Sequence, residues 1–216
     1  RYPLLDEGYG ASLGFYNIVN LPAFRDNQRQ AALEGEQLRL FLTEALPDLV
    51  PAGSIDPTRV RRAGHSLGSV TTNLGVAMNP DVYEDAFLSG SGGLFSHYAL
   101  DTGLLESIGE ELIESLFPLL GAPVPAELTV PNILGAALGL PEPAWGHLDR
   151  LHPAMQLFQW TMDPSDPMAV ARDETLPIQM IIGRGDYQVP DFTSDALIEA
   201  LPNARSQDCE ARAVYD

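Results

Sequence analysis

The stretch Gly64-His65-Ser66-Leu67-Gly68 decides how the rest of this sequence is interpreted. It fits the pattern G-x-S-x-G, in which a serine lies on a tight turn between a strand and a helix and its hydroxyl projects from the sheet edge. Small residues two positions before and after the serine, Gly64 and Gly68, are expected because a Cβ there would strike neighbouring backbone. Ser66 is therefore a candidate nucleophile, and the Leu67 N–H is a candidate donor to a tetrahedral oxyanion.

A second copy of the pattern, Gly10-Ala11-Ser12-Leu13-Gly14, provides an internal comparison. A strand candidate at residues 58–63 precedes Ser66, and a helix pattern follows it as far as Asn79-Pro80. No pattern of a capped helix follows Ser12. The context favours Ser66 as the nucleophile, with a buried helix-capping serine as the alternative, and predicts that Ser12 is a loop residue.

Strand and helix patterns alternate along much of the chain and predict a mostly parallel α/β sheet flanked by helices. Residues 26–46 predict a helix that ends at Pro47 and has one apolar face, made of Leu38, Phe41, Leu42 and Ala45. The strand candidates are residues 58–63, 86–88 and 178–182, and a last strand is expected to begin at 213–215.

The alternation is interrupted between residues 94 and 173. An amphipathic helix pattern at 102–116 and an apolar stretch at 133–140 occupy this segment. We therefore predict a core made of residues 1–93 and 174–216, with a helical lid or cap insertion at 94–173.

A candidate acid follows the strand pattern at 178–182, in the stretch Gly183-Arg184-Gly185-Asp186. Catalytic groups of open α/β sheets gather at the carboxyl ends of strands, where an Asp can accept the Nδ1–H of a histidine. The alternative is that Asp186 only caps a turn.

The base is harder to find, because a histidine should follow the acid and residues 187–216 contain none. The sequence has four histidines, and all are poor substitutes for that base: His65, His97, His147 and His152. We expect the catalytic histidine beyond residue 216.

Composition excludes several classes of partner. Twelve Lys and Arg against 30 Asp and Glu give a net charge of −18, which opposes nucleic acid and anionic lipid. No run of about 18 uncharged apolar residues predicts a membrane span. The first residues carry no secretion signal, and because Arg1 is not an initiator Met we expect a fragment. The single cysteine, Cys209, excludes an internal disulfide. No metal-ligand spacing or phosphate-binding loop occurs, so we predict no metal and no cofactor.

Several segments together resemble bacterial lipase and esterase-like members of the α/β-hydrolase superfamily. They are Leu5-Asp6-Glu7-Gly8-Tyr9-Gly10-Ala11-Ser12, Ile55-Asp56-Pro57-Thr58-Arg59-Val60, the elbow at 64–68 and the acid segment at 183–190, with weaker likeness at 20–30 and 152–167. The resemblance implies that Ser66 is the nucleophile, the Leu67 N–H the oxyanion donor and Asp186 the acid. It also implies a secreted or cell-envelope location in a bacterium.

Together these features predict a serine hydrolase that cleaves carboxylic esters through an acyl-serine intermediate, with a small ester or a lipid as substrate. Without its base, this chain alone is expected to be nearly inactive. The alternatives are a catalytically inactive binding protein, or an amidase or acyltransferase on the same scaffold. Several apolar residues of the insertion are candidates for a wall that contacts an acyl chain, and ordinary packing is the alternative role. They are Leu104, Leu105, Leu116, Phe117, Leu119 and Leu120.

Overall fold

The computed structural model describes residues 20–102, 123–172 and 174–210, together with residues 15, 17 and 117. The described residues divide into two compact units. The unit that contains the sheet comprises Gln28–Gly93 and the described part of Pro164–Asp216, and the other comprises Leu94–Asp163 and the described part of Arg1–Asn27.

The described strands form one four-stranded parallel sheet. Numbered in chain order, they are β1 (Arg61–His65), β2 (Asp85–Ser89), β3 (Ile178–Arg184) and β4 (Ala204–Glu210). Their spatial order is β1-β2-β3-β4, and every neighbouring pair is parallel. The predicted fold class, a mostly parallel sheet flanked by helices, is confirmed.

Along the chain, the described helices precede β1 or lie between consecutive strands. They are α1 (Leu21–Leu40), α2 (Leu46–Leu49), α3 (Leu67–Met78), α4 (Phe95–Asp101), α5 (Val130–Ala137), α6 (Pro153–Met162), α7 (Pro167–Ala171) and α8 (Asp191–Ala200). A π-helical turn at Phe41–Ala45 joins α1 to α2, and short 3₁₀ turns lie at Pro80–Val82, Glu142–His147 and Asp163–Ser165. Within the sheet unit, α3 packs on β1 and β2, α8 on β3 and β4, and α7 on α3 and α8.

One face of the sheet forms the core of its unit. Alternate residues of β2 and β3 on this face are almost completely buried, and Ala171 of α7 and Leu197 of α8 pack in the same cluster. Burial of one large apolar side chain of this kind stabilises the folded state by about 1.5–3 kcal/mol. Helix α7 contributes to this core, and the compact unit that contains the sheet includes the described residues from Pro164 onward. The buried strand residues are Ala86, Leu88, Ile178, Met180 and Ile182.

The first long helix differs from its prediction in two ways. It starts at Leu21 and does not end at Pro47, because the π-helical turn lets Leu46 N–H bond Phe41 O and places Pro47 in the first turn of α2, where it needs no donor. The predicted apolar face is also wrong. Leu38 is 57% exposed, whereas Glu36 is buried. Burial here follows the ion pairs of Glu36, described below, and not the apolar stripe.

The observed strand boundaries also differ from the predicted ones. The first strand, Arg61–His65, begins three residues after the start of the strand predicted at 58–63. The segment 204–210 is mostly polar and has no apolar run, so its pattern does not predict a strand. It nevertheless forms β4, which pairs with β3 and lies at one end of the order of described strands. The predicted strand at 213–215 and residues 103–116 of the predicted helix lie outside the described residues.

Candidate active site

Ser66 is the single residue between β1 and α3. Its backbone has φ 52° and ψ −123°, a conformation that non-glycine residues rarely adopt and that costs about 1–3 kcal/mol. The Ser66 N–H donates to Ser89 O at 2.8 Å, and the N–H and Oγ of Ser69 both donate to Ser66 O. These bonds hold the strained turn, so the sequence folds here as the motif predicts.

Ser66 is half-buried and its side chain does not cap helix α3, which argues against the capping alternative. The Leu67 N–H lies at the first residue of the helix, where amides have no partner within the helix. An anion that forms beside the serine would therefore meet an amide with no partner within its helix, and the positive end of the helix dipole.

The two elbow glycines have different roles. A Cβ on Gly64 would overlap the backbone carbonyl of Gly68 and lie 2.6 Å from Thr72 Oγ1. At Gly68 a Cβ would meet open space among the described residues. The expected backbone clash is thus present at Gly64 and absent at Gly68.

Asp186 follows β3 after the left-handed residue Gly185, which has φ 73°. Its Oδ1 accepts the backbone N–H groups of Gln188 at 2.8 Å and Val189 at 3.1 Å. Its Oδ2 has no hydrogen bond to any residue that the structure describes. One oxygen thus caps the turn, as the alternative interpretation held, and the other remains available to a further donor.

The sheet brings Ser66 and Asp186 to the same edge. Both residues follow the carboxyl ends of parallel strands, β1 and β3, which flank β2. With neighbouring strands about 4.8 Å apart, these two strands lie roughly 10 Å apart.

The four histidines are all among the described residues. His65 ends β1, and its Nδ1 lies 3.2 Å from Ser89 Oγ. His152 accepts the Ala154 N–H and caps α6, His97 lies on α4, and His147 ends a 3₁₀ turn. His65 and His152 thus have local partners of their own.

Two properties of the described residues concern ions and membranes. Within the described ranges, no group of three or more His, Cys, Asp or Glu side chains could hold a metal ion. None of the helices that the structure describes has the length and apolarity needed to cross a bilayer.

Sequence reasoning missed three polar residues of this unit. Ser89 supplies the carbonyl that holds the Ser66 amide, and Glu36 and Arg62 form a buried ion pair. The only sequence signal was an arginine inside a strand candidate. No periodicity could have identified its partner on another element.

No protein-family model and no curated protein sequence matches this chain. Solved structures of α/β hydrolases are similar to it. MGS-M2, an α/β-hydrolase enzyme from a Medee basin deep-sea metagenome library, is 19% identical with a TM-score of 0.39, over 71% of this chain and 57% of its own. An α/β-fold family hydrolase from Bacillus anthracis str. Sterne is 15% identical, with a TM-score of 0.42, over 77% and 63%.

A monoacylglycerol lipase from Paleococcus ferrophilus is 16% identical with a TM-score of 0.41, over 82% of this chain and 65% of its own. The chain thus spans 57 to 65% of the length of these three proteins.

Proposed function

We propose that this chain carries the nucleophile and the acid of a serine hydrolase that cleaves carboxylic esters. Ser66 Oγ attacks the ester carbonyl carbon while its proton passes to a base, and the Leu67 N–H stabilises the resulting oxyanion. The tetrahedral intermediate then collapses. The bond between the carbonyl carbon and the alkoxide oxygen breaks, and the alkoxide takes up that proton and leaves as the alcohol. Water then attacks the acyl-serine, releases the carboxylic acid and restores the hydroxyl.

The conformation of Ser66 is the observation that carries this proposal. Ser66 lies between a strand and a helix with a strained, positive φ, and its side chain makes no cap hydrogen bond to the helix. Backbone strain of this kind is found where function requires it. Asp186 at the same sheet edge, with a free Oδ2, supports the pairing of a nucleophile with an acid.

We place the base in the chain beyond residue 216, because residues 187–216 contain no histidine. The pairing of Glu210 with Arg184 makes β4 end beside the end of β3. Chain that leaves β4 therefore starts at the edge where Asp186 lies. A histidine there can donate Nδ1–H to Asp186 Oδ2 and accept the Ser66 proton at Nε2.

We also propose that the insertion between β2 and β3 is a cap over the site. A parallel crossover needs about a dozen residues, and the chain from 90 to 177 is far longer. Of the residues suggested for an apolar wall, Phe117 is buried and the others lie outside the described residues. The insertion would exclude water from the acyl group.

The test compares Ser66→Ala with Ser12→Ala in the full-length protein. Ser12 is the matched control because it lies in the second G-x-S-x-G pattern. With p-nitrophenyl esters, we expect Ser66→Ala to lower kcat/KM by about 10⁴-fold or more. We expect Ser12→Ala to keep wild-type activity. A fluorophosphonate should label the wild type and Ser12→Ala, but not Ser66→Ala.

The other outcomes distinguish the alternatives. Faster turnover of matched anilides than of esters would identify an amidase. A wild-type protein that neither turns over any substrate nor reacts with the fluorophosphonate would point to a binding protein. Equal labelling of Ser66→Ala and wild type would remove Ser66 from the mechanism.

A further inference from the structure

A buried ionic cluster centred on Glu36 lies in the sheet unit. Glu36 Oε1 accepts Arg62 Nη1 at 2.7 Å and the Tyr83 hydroxyl. Glu36 Oε2 accepts Arg39 Nε at 3.1 Å and Asn79 Nδ2 at 3.2 Å. One carboxylate therefore joins α1, β1, the C-terminal cap of α3 and the residue two positions before β2.

The Arg62 guanidinium lies in a slot between two glycines. A Cβ on Gly35 of α1 would overlap its Nη2, and a Cβ on Gly75 of α3 would overlap its Nη1. The Arg62 side chain is only 14% exposed and the Glu36 side chain 9%. A buried charge needs a partner and good geometry, and here glycines on two helices make the room.

Helix α3 is thereby held against β1 near both ends. At its N-terminus the close approach of Gly64 to Gly68 fixes the helix beside Ser66. Towards its C-terminus, Gly75 contacts the Arg62 guanidinium and Asn79 bonds Glu36. Arg62 and Gly64 are alternate residues of β1, so both attachments use the same face of this strand.

We propose that the Glu36–Arg62 pair is a positioning device for the nucleophile and the oxyanion donor. Helix α3 carries the Leu67 N–H at its first residue and connects directly to Ser66. A shift of α3 along its axis moves that amide relative to the reacting carbonyl. The inference rests on the proposed function. It assigns the placement of Ser66 and the Leu67 N–H to residues that do not touch the substrate.

The experiment uses Gly75→Ala and Arg62→Lys in the full-length protein. Alanine favours helix more than glycine, so Gly75→Ala does not weaken α3 itself. Its Cβ would overlap Arg62 Nη1, so the guanidinium and α3 cannot both keep their positions. Arg62→Lys keeps the charge but loses the planar group that fills the slot. The matched control is Arg39→Met, because Arg39 binds the same carboxylate from α1, the helix that carries Glu36.

The measurement is the burst of p-nitrophenol from a p-nitrophenyl phosphonate, which counts working sites, followed by kcat per titrated site. We expect Gly75→Ala and Arg62→Lys to lower kcat per site by about 10- to 100-fold, with KM little changed. Arg39→Met should lower the melting temperature and leave kcat per site unchanged.

Two failures can be told apart. If Gly75→Ala and Arg62→Lys lose activity only in proportion to titrated sites, the cluster serves stability alone and the positioning role is wrong, while Ser66 keeps its role. If the wild type gives no burst, the proposed function fails and the positioning role falls with it. An equal loss of kcat per site in Arg39→Met also overturns the inference, since that residue leaves α3 in place.

Discussion

Gly64 on β1 lies so close to the carbonyl of Gly68 on α3 that no Cβ fits on Gly64. The two residues flank Ser66 by two positions on either side. The turn between strand and helix is therefore tight because one side chain is missing, and the strain at Ser66 is enforced by the packing of the two elements that it joins.

Gly64→Ala and Gly68→Ala should consequently have very different effects. A Cβ at residue 64 would meet backbone, which cannot move without opening the elbow, so we expect a loss of about 1–3 kcal/mol or more in the free energy of unfolding. Fluorophosphonate labelling of the full-length protein should fall with it. Gly68→Ala should keep both properties, and a larger loss at Gly68 than at Gly64 would contradict the described packing.

The two oxygens of Asp186 allow its roles to be separated. Asp186→Asn keeps an acceptor for the Gln188 and Val189 amides but removes the charge that stabilises an imidazolium. We expect kcat of the full-length protein to fall by about 10³- to 10⁴-fold at nearly unchanged melting temperature. Asp186→Ala should lose activity and also stability. If Asp186→Asn keeps full activity, Asp186 is a turn cap only.

The buried carboxyl group of Glu174 should make the stability of the fold depend on pH. Its side chain is buried, and Asn73 Nδ2 donates to its Oε2 at 3.4 Å. Among the described residues, Glu174 Oε1 has no hydrogen-bond partner. Burial raises the pKa of Glu174 to about 8. The folded state therefore keeps a proton that the unfolded chain loses near its ordinary pKa of 4.5.

The stabilising contribution of that proton is complete below pH 4.5 and is lost as the pH rises through 8. Over this window Glu174 should lower the free energy of unfolding by up to about 1.4 kcal/mol per pH unit. Urea unfolding from pH 5 to 9 measures the slope. Glu174→Gln should flatten it, whereas Glu199→Gln, at an exposed position of α8, should not. Identical slopes for both variants would show that Glu174 is ionised throughout.

The orientation of α1 can be tested with two leucines. Leu88 on β2 is fully buried, and Leu38 on α1 is 57% exposed. We expect Leu88→Ala to lower the free energy of unfolding by about 2–5 kcal/mol. Leu38→Ala should change it by about 0.5 kcal/mol or less. A large loss at Leu38 would restore the apolar face that periodicity predicted.

The motifs and the order of elements were predictable from sequence. Local patterns place Ser66 between a strand and a helix, and β3 before Asp186, because each pattern depends on a few consecutive residues. The orientation of α1 was not predictable in this way. The sequence of α1 does contain an apolar stripe. Glu36 is nevertheless buried, because hydrogen-bond donors on other elements bind its carboxylate. A local pattern contains no information on those donors.

The sequence by itself determined the parallel α/β class, the glycine-flanked serine and the acid after a strand, because turn chemistry and hydrophobic periodicity are short-range properties. The tertiary structure alone decided that Ser66 and Asp186 share one sheet edge, that the polar segment 204–210 pairs with β3, and that Arg62 lies between two glycines. Those facts depend on contacts between residues far apart in the chain, whose energies appear only when strands and helices pack.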